Sequence, residues 1–356
     1  MRPTRTAAAL GLFLSVAGVD SVAAALLASP AHRGLAAPSS SAGRASSKHV
    51  APLFSRTAGP VVMAKTPAET YDVFVQRGVT NAKLPICKMF LQSVMGGCYV
   101  GFGGLLSLSI AGAVPGMALA NPGLAKFLFA ALFPVNLFLV LTTGAQLYTG
   151  NSATVPAAVI EGKVTTRELM KNWAVSFAGN VVGCGGMALA ATYCGLNVLG
   201  TAELAAATVL KKCAPAVGPT LVKAILCNWL VSLAVFLAGA ANDIAGKMVA
   251  IWFPISTFVA IGLEHSVANM FILPFGLLAG AKLSFADVIF RNLIPVTIGN
   301  TIAGAFIVAA GYSYAFGKLG ENAGKPRKKY ITHEDTSPLP EEDIKILQQY
   351  AKQKAR

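Results

Sequence analysis

Glu264-His265-Ser266-Val267-Ala268-Asn269-Met270-Phe271 stands inside an otherwise uncharged apolar run from Met248 to Ala281, and its reading decides the fold. A membrane helix should tolerate neither the carboxylate nor the imidazole. An ionisable side chain at bilayer depth costs roughly 3 kcal/mol or more unless it faces a cavity or a partner, so it marks a substrate or proton pathway. The plainer reading is a buried His-Glu pair that only locks two helices together. His265 is the one histidine in the hydrophobic part of the chain.

The surrounding composition is that of an integral membrane protein. Of 356 residues, 54% are hydrophobic and only 12% charged, with a mean hydropathy of +0.61, whereas soluble domains run about 25% charged. The net charge of +14 does not imply nucleic acid as a partner, because Lys and Arg gather in the tails and short loops. Lys325, Arg327, Lys328 and Lys329 read as a solvated tail on the positive side of a membrane. The six cysteines show no metal-ligand spacing and read as small buried hydrophobes. No nucleophile–base constellation, phosphate loop or metal cluster is present, so the sequence does not read as an enzyme, and no cofactor is expected.

Residues 1–65 are basic, rich in Ala and Ser, and carry a single acid, Asp20. An apolar run, Ala7 to Ala28, follows Arg2 and Arg5, and a Ser-rich basic stretch comes after it. That order reads as a two-part leader, a secretory signal and then a transit peptide, of the kind that directs proteins to plastids. The rival, a first membrane helix over Ala7 to Ala28, is opposed by Asp20 and by the weak hydrophobicity of the run. The domain plan is thus a leader over 1–65, a transmembrane domain over 66–317, and a mobile charged tail over 318–356.

Between leader and tail the chain breaks into six apolar stretches, each near or above the ~20 residues that cross a bilayer: Met89–Val114, Phe127–Ile160, Trp173–Leu196, Leu221–Ala241, Met248–Ala281 and Val288–Phe316. Phe127–Ile160 carries no charge in 34 residues; as a continuous helix it would be about 50 Å long against a hydrocarbon core of about 30 Å. Gly144, Gly150 and Asn151 weaken its centre, as Gly262 and the polar group after it weaken the fifth stretch. Both read as broken helices, whose exposed backbone survives only against protein or a cavity.

The two breaks belong to a repeat. Gly144-Ala145-Gln146-Leu147-Tyr148-Thr149 precedes Asn172-Trp173 and Gly179-Asn180; Glu264-His265-Ser266-Val267-Ala268-Asn269 precedes Asn292-Leu293 and Gly299-Asn300. One interval, 120 residues, is assigned to every pair. Three spans per half is an odd number, so the halves are inverted, and inverted repeats with discontinuous helices place a substrate site near the midplane. Fold class is therefore an all-α membrane protein of six transmembrane helices in two inverted three-helix repeats, with the second and fifth broken. Loop charges put Lys83, Lys88, Lys163, Arg167, Lys171 and Lys247 inside with the amino terminus, and Lys126, Lys211, Lys212, Lys282 and Arg291 outside. Pro67 to Val79 reads as a short amphipathic helix on the inner surface.

Gly262-Leu263-Glu264-His265-Ser266-Val267-Ala268-Asn269-Met270-Phe271, the recurring Asn-Trp/Leu…Gly-Asn pattern, and Cys227-Asn228-Trp229-Leu230-Val231 together resemble the formate/nitrite transporter family over roughly residues 66–317. The resemblance implies a homopentamer of aquaporin-like protomers in the lipid bilayer, each with its own pore. It implies that His265 is the central pore histidine and Thr149 the hydroxyl that faces it. By the same resemblance Phe133, Leu137 and Phe258 form an outer apolar constriction, and Tyr148 and Val231 an inner one. Asn228, Glu264 and Asn269 would orient the imidazole or cross-link the broken helices. Lys212 matches the family's vestibule lysine, Lys223 lies where relatives often carry Arg, and Gln146 occupies a position that is often acidic.

The residues suggest transport of small monovalent weak-acid anions, nitrite first because the leader points to a plastid envelope, and formate second. Lys212 and Lys223 would attract the anion, and protonation would remove the desolvation cost of the apolar passage. The proton would come from His265, bonded to Thr149 or Asn269, or else from water or a vestibule group beside a neutral ring. Formate or lactate transport is the nearest alternative. A neutral-solute channel of the aquaporin kind is opposed by the lack of Asn-Pro-Ala motifs at the breaks.

Overall fold

A computed structural model describes residues 64–322; the leader and most of the tail lie outside that range. Among the described residues the chain is all-helical. Helix α1 is Pro67–Lys83, α2 Ile86–Gly112, α3 Pro115–Ala120, α4 Pro122–Thr143 with a kink at Phe133-Pro134, and α5 Tyr148–Ile160. The second half follows with α6 Thr166–Tyr193, α7 Leu199–Cys213, α8 Val217–Ala240, α9 Ile244–Ile261, α10 Ser266–Leu278, α11 Phe285–Phe316 and α12 Lys318–Asn322. Six of these, α2, α4, α6, α8, α9 and α11, are long and apolar enough to cross a membrane.

The two expected breaks are present. Gly144 ends α4 with φ +78° and Gly262 ends α9 with φ +79°, a left-handed conformation that only glycine adopts at little cost. Three residues later α5 and α10 resume from the extended Leu147 and His265. Gly150 and Asn151, expected at the first break, are instead buried inside α5. Helix α1 runs four residues beyond its expected end. It opens on a capping box between Thr66 and Glu69 and buries Tyr71, Phe74 and Val75. Its counterpart in the second half is α7, which no sequence signal had marked; Lys211 and Lys212 end that helix and do not sit in a loop.

The single 120-residue interval does not hold throughout. Gly144 and Gly262 are 118 apart (262 less 144), as are the in-helix prolines Pro156 and Pro274. The capping boxes that open α6 and α11, Thr165 with Glu168 and Ser284 with Asp287, are 119 apart. Asn172 and Asn292, and Asn180 and Asn300, keep the expected 120. Two single-residue insertions in the second half account for the drift. One lies in the loop after Gly280, and the other in the π-helical turn Ile289–Leu293 of α11, since a π turn accommodates one extra residue in a helix.

Small residues let the crossing helices meet at backbone distance. A Cβ on Gly183 would lie 2.1 Å from the Val94 carbonyl oxygen, and one on Gly299 2.6 Å from that of Leu221, so α6 rests on α2 and α11 on α8. The core between the two pairs is apolar and close-packed around Val100, Leu137, Val231, Phe258, Phe271 and Phe275. Cys184, Cys213 and Cys227 are buried in line with the sequence reading, whereas Cys98 is half-buried and Cys87 and Cys194 are exposed.

Candidate functional site

Each break is pinned by one asparagine in the same way. Asn180 Oδ1 accepts from the Tyr148 N–H at 2.8 Å while its amide donates to the carbonyls of Ser93 and Gln146 at 2.7 and 3.0 Å. Asn300 Oδ1 accepts from the Ser266 N–H at 2.8 Å while its amide donates to those of Ala224 and Glu264 at 2.8 and 3.0 Å. Both side chains are fully buried. They satisfy an N–H and a carbonyl at each break, which hydrocarbon could not do, and anchor them to the carbonyls of Ser93 in α2 and Ala224 in α8. Asn228 adds a tie across the halves: its amide donates to the carbonyls of Thr149 and Asn300 and to Ser152 Oγ. It therefore cross-links the broken helices and makes no bond to the imidazole.

The first turns of α5 and α10 face one another at the middle of the bundle. His265 stands at the N-cap of α10, its Nδ1 accepting from the Ala268 N–H at 3.0 Å, and its Nε2 lies 2.9 Å from Thr149 Oγ1. Because Nδ1 receives a backbone proton it carries none of its own, and the ring is the neutral Nε2–H tautomer that donates to Thr149. The ring stacks on Phe258 with centroids 5.7 Å apart, and Phe258 meets Phe133 edge-on at 6.1 Å. The position equivalent to His265 in the other half is Leu147, which caps nothing. One imidazole therefore occupies the centre of the described bundle.

Above that ring opens a cavity of about 660 Å³. Phe133, Phe258 and His265 form its floor, and Lys126, Lys211, Lys212 and Lys223 its walls, with Glu264 as the one carboxylate. Lys212 Nζ bonds Glu264 Oε2 at 3.0 Å. The same oxygen accepts from the amides of Asn269 and Asn292 at 2.8 and 3.2 Å, so one oxygen of a carboxylate 6% exposed carries the ion pair and two amide bonds. Glu264 and Asn269 thus hold the vestibule wall to α10 and do not touch the imidazole. Lys126 and Asn292 were not singled out for the site; Lys126 reads from sequence only as a loop charge, and Asn292 only as a repeat marker.

The remaining expected pore residues lie deeper. Leu137 is buried one turn along α4 from Phe133 and does not line the cavity. Tyr148 and Val231 are buried in the same apolar cluster on the far side of His265. Tyr148 packs edge-on against Phe177 at 5.3 Å, and its hydroxyl lies 2.7 Å from Thr301 Oγ1. At the end carrying α1, the counterparts of Glu264 and Lys212 are Gln146 and Asn81. Gln146 Nε2 donates to Asn81 Oδ1, Asn81 Nδ2 to Asn151 Oδ1, and Asn151 Nδ2 to Gln146 Oε1, at 3.0, 2.8 and 3.0 Å. A closed triangle of neutral amides replaces the ion pair, and it identifies the partners of Gln146. Among the described residues no group of His, Cys, Asp and Glu could hold a metal ion.

The family model described as "Formate/nitrite transporter" matches residues 68–314. A "Probable formate transporter" of Methanothermobacter thermautotrophicus is 39% identical over 272 residues, 71% of this chain and 97% of that protein. A nitrite transporter of Escherichia coli (strain K12) is 32% identical over 232 residues, 64% of this chain and 82% of that protein. Among solved structures, a "Pentameric formate channel with formate bound" superposes with a TM-score of 0.57 at 26% identity, covering 65% of this chain and 97% of that one.

Proposed function

The chain belongs to the formate/nitrite transporter family, and from that membership we propose that it carries small monovalent weak-acid anions across a membrane, nitrite first and formate second, through one pore in each subunit of a homopentamer. The observation that carries this reading is the neutral ring of His265 at the crossing of two broken helices, under a vestibule walled by four lysines.

The lysines raise the local concentration of the anion at the vestibule. An intact anion entering the gap beside Phe133 and Phe258 would lose its hydration with nothing to replace it. Association with a proton from vestibule water gives the neutral acid, whose passage costs far less. His265 is not the proton source, because a second proton on Nδ1 would break the cap on Ala268. Its Nε2–H and the Thr149 hydroxyl instead offer the acid a donor and an acceptor midway, and Tyr148 and Val231 form the narrow segment beyond. The acid and its proton cross together and separate on the far side.

Location in a plastid envelope rests on the basic, Ser-rich, acid-poor composition of residues 1–65. The same leader ranks nitrite above formate. A stopped-flow panel of nitrite and formate uptake into vesicles holding the purified protein tests the reading. Uptake is expected to rise as external pH falls, with glycerol excluded; glycerol flux equal to anion flux, or no anion flux at any pH, would overturn it.

A further inference from the structure

A second cavity, about 190 Å³, opens at the end that carries α1. Val73, Phe74, Leu141 and Val235 give it apolar walls, and Lys65, Arg77 and Lys247 line it with no carboxylate among them. It is the counterpart, through the internal repeat, of the large vestibule. Leu141 lies 118 residues before Val259 and Arg77 lies 131 before Thr208, and both partners line the larger cavity. The same 131-residue step relates Asn81 to Lys212 and Ser93 to Ala224, whose carbonyls accept from equivalent asparagines. Val235, which lines this cavity, stands one turn beyond the buried Val231 on α8.

The two mouths differ in where they keep their positive charge. At the α7 end the cation nearest the ring, Lys212, is held by Glu264. At the α1 end the equivalent position is the neutral Asn81, whose amide is consumed in the triangle with Gln146 and Asn151. The cation sits one helical turn earlier on α1, at Arg77, half-buried and with no hydrogen bond or ion pair to another described residue. Burial draws its guanidinium down to about 10, which leaves it charged at neutral pH. Lys65 Nζ is spent on Asn242 Oδ1 at 2.6 Å.

A half-buried charge without a counter-charge is costly, and apolar walls strengthen its attraction to whatever anion arrives. A guanidinium offers two parallel N–H donors, which match a planar anion with two oxygens in a way that an ammonium does not. We propose that Arg77 is the anion-binding residue of the α1-end vestibule, gripping nitrite or a small carboxylate through both oxygens, with Lys247 adding longer-range attraction. This inference rests on the transport reading above and assigns to one end of the conduit a direct anion grip that the ion-paired Lys212 does not supply at the other.

The test uses full-length protein in vesicles sorted for orientation, with nitrite uptake measured separately from each face. Arg77→Gln should raise the half-saturating nitrite concentration about tenfold when the α1 end faces out, the loss expected for one charge-assisted contact, and leave it unchanged when the α7 end does. Arg77→Lys should recover only part of the loss. Independently of any variant, nitrite should slow the reaction of Arg77 with a guanidinium-specific dicarbonyl reagent, read by mass spectrometry, and leave the exposed Arg167 unprotected. An equal shift on both faces, no shift with no protection, or protection by anionic phospholipid but not by nitrite would overturn the inference; the last would make Arg77 a lipid head-group site. Wild-type protein that moves no nitrite at all would instead overturn the proposed function.

Discussion

Asn300 ties the Ser266 N–H and the Glu264 carbonyl of the second break to the Ala224 carbonyl of α8, so replacing it with Leu leaves the two groups of the break buried and without that partner. Each such group costs about 1–3 kcal/mol. Asn300→Leu is expected to lower the thermal midpoint of the purified protein steeply, and an unchanged midpoint would show that the break has another support. Lys212→Ala presents a different problem, because it strands the buried carboxylate of Glu264 with only the amides of Asn269 and Asn292. Removing one partner of a buried pair is more damaging than removing both. The double variant Lys212→Ala/Glu264→Gln should therefore be more stable than Lys212→Ala alone in a thermal melt. Sequence alone exposed Glu264 and His265, because a charged or titratable group stands out against an apolar run. It did not expose Asn81 or Arg77, which on a half-exposed amphipathic helix look like ordinary surface residues.

Among the elements, α11 carries an extra residue in its π-helical turn Ile289–Leu293, and the wider turn absorbs it, so that Asn300 meets its break as Asn180 does. Deleting Phe290, whose side chain is exposed, should convert the π turn to the α geometry of the first half and leave Asn300 against Ser266, as Asn180 stands against Tyr148. The deletion is expected to leave folded protein recoverable, as Phe290→Ala does; loss of folded protein on deletion alone would show that the π turn is needed for more than absorbing one residue. The six crossings and both breaks were legible because uninterrupted apolar length and a glycine followed by polar residues are local signals. Register was not legible, since a one-residue slip in a loop and a π turn leave composition and periodicity unaltered. Helix α7 escaped notice for a related reason: its Ala-rich sequence with Glu203 and two terminal lysines is too polar for a crossing and too apolar for a loop.

At the scale of the whole molecule, the α1 end is tied to the end of α11 through Glu161. Its carboxylate accepts from the Tyr71 hydroxyl, Ser313 Oγ and the Lys318 N–H at 2.8, 2.6 and 3.1 Å. Burial pushes this carboxyl upward, but the bonds from Ser313, Tyr71 and Lys318, with Lys163 nearby, outweigh it and hold the group below its ordinary range. A carboxyl lowered on folding stabilises above its unfolded value, about 4.3, and that contribution fades as pH falls through the lower folded value. Wild-type protein should lose thermal stability below about pH 4 more steeply than Glu161→Gln, and parallel melting curves would exclude the tie. The central claim concerns the bundle's middle, where two interrupted crossings from opposite sides bring one neutral ring against one hydroxyl. Vesicle uptake by His265→Phe measures it most directly. Loss of most nitrite and formate flux, with folding preserved, is the expected result; flux equal to wild type in rate and selectivity would contradict it.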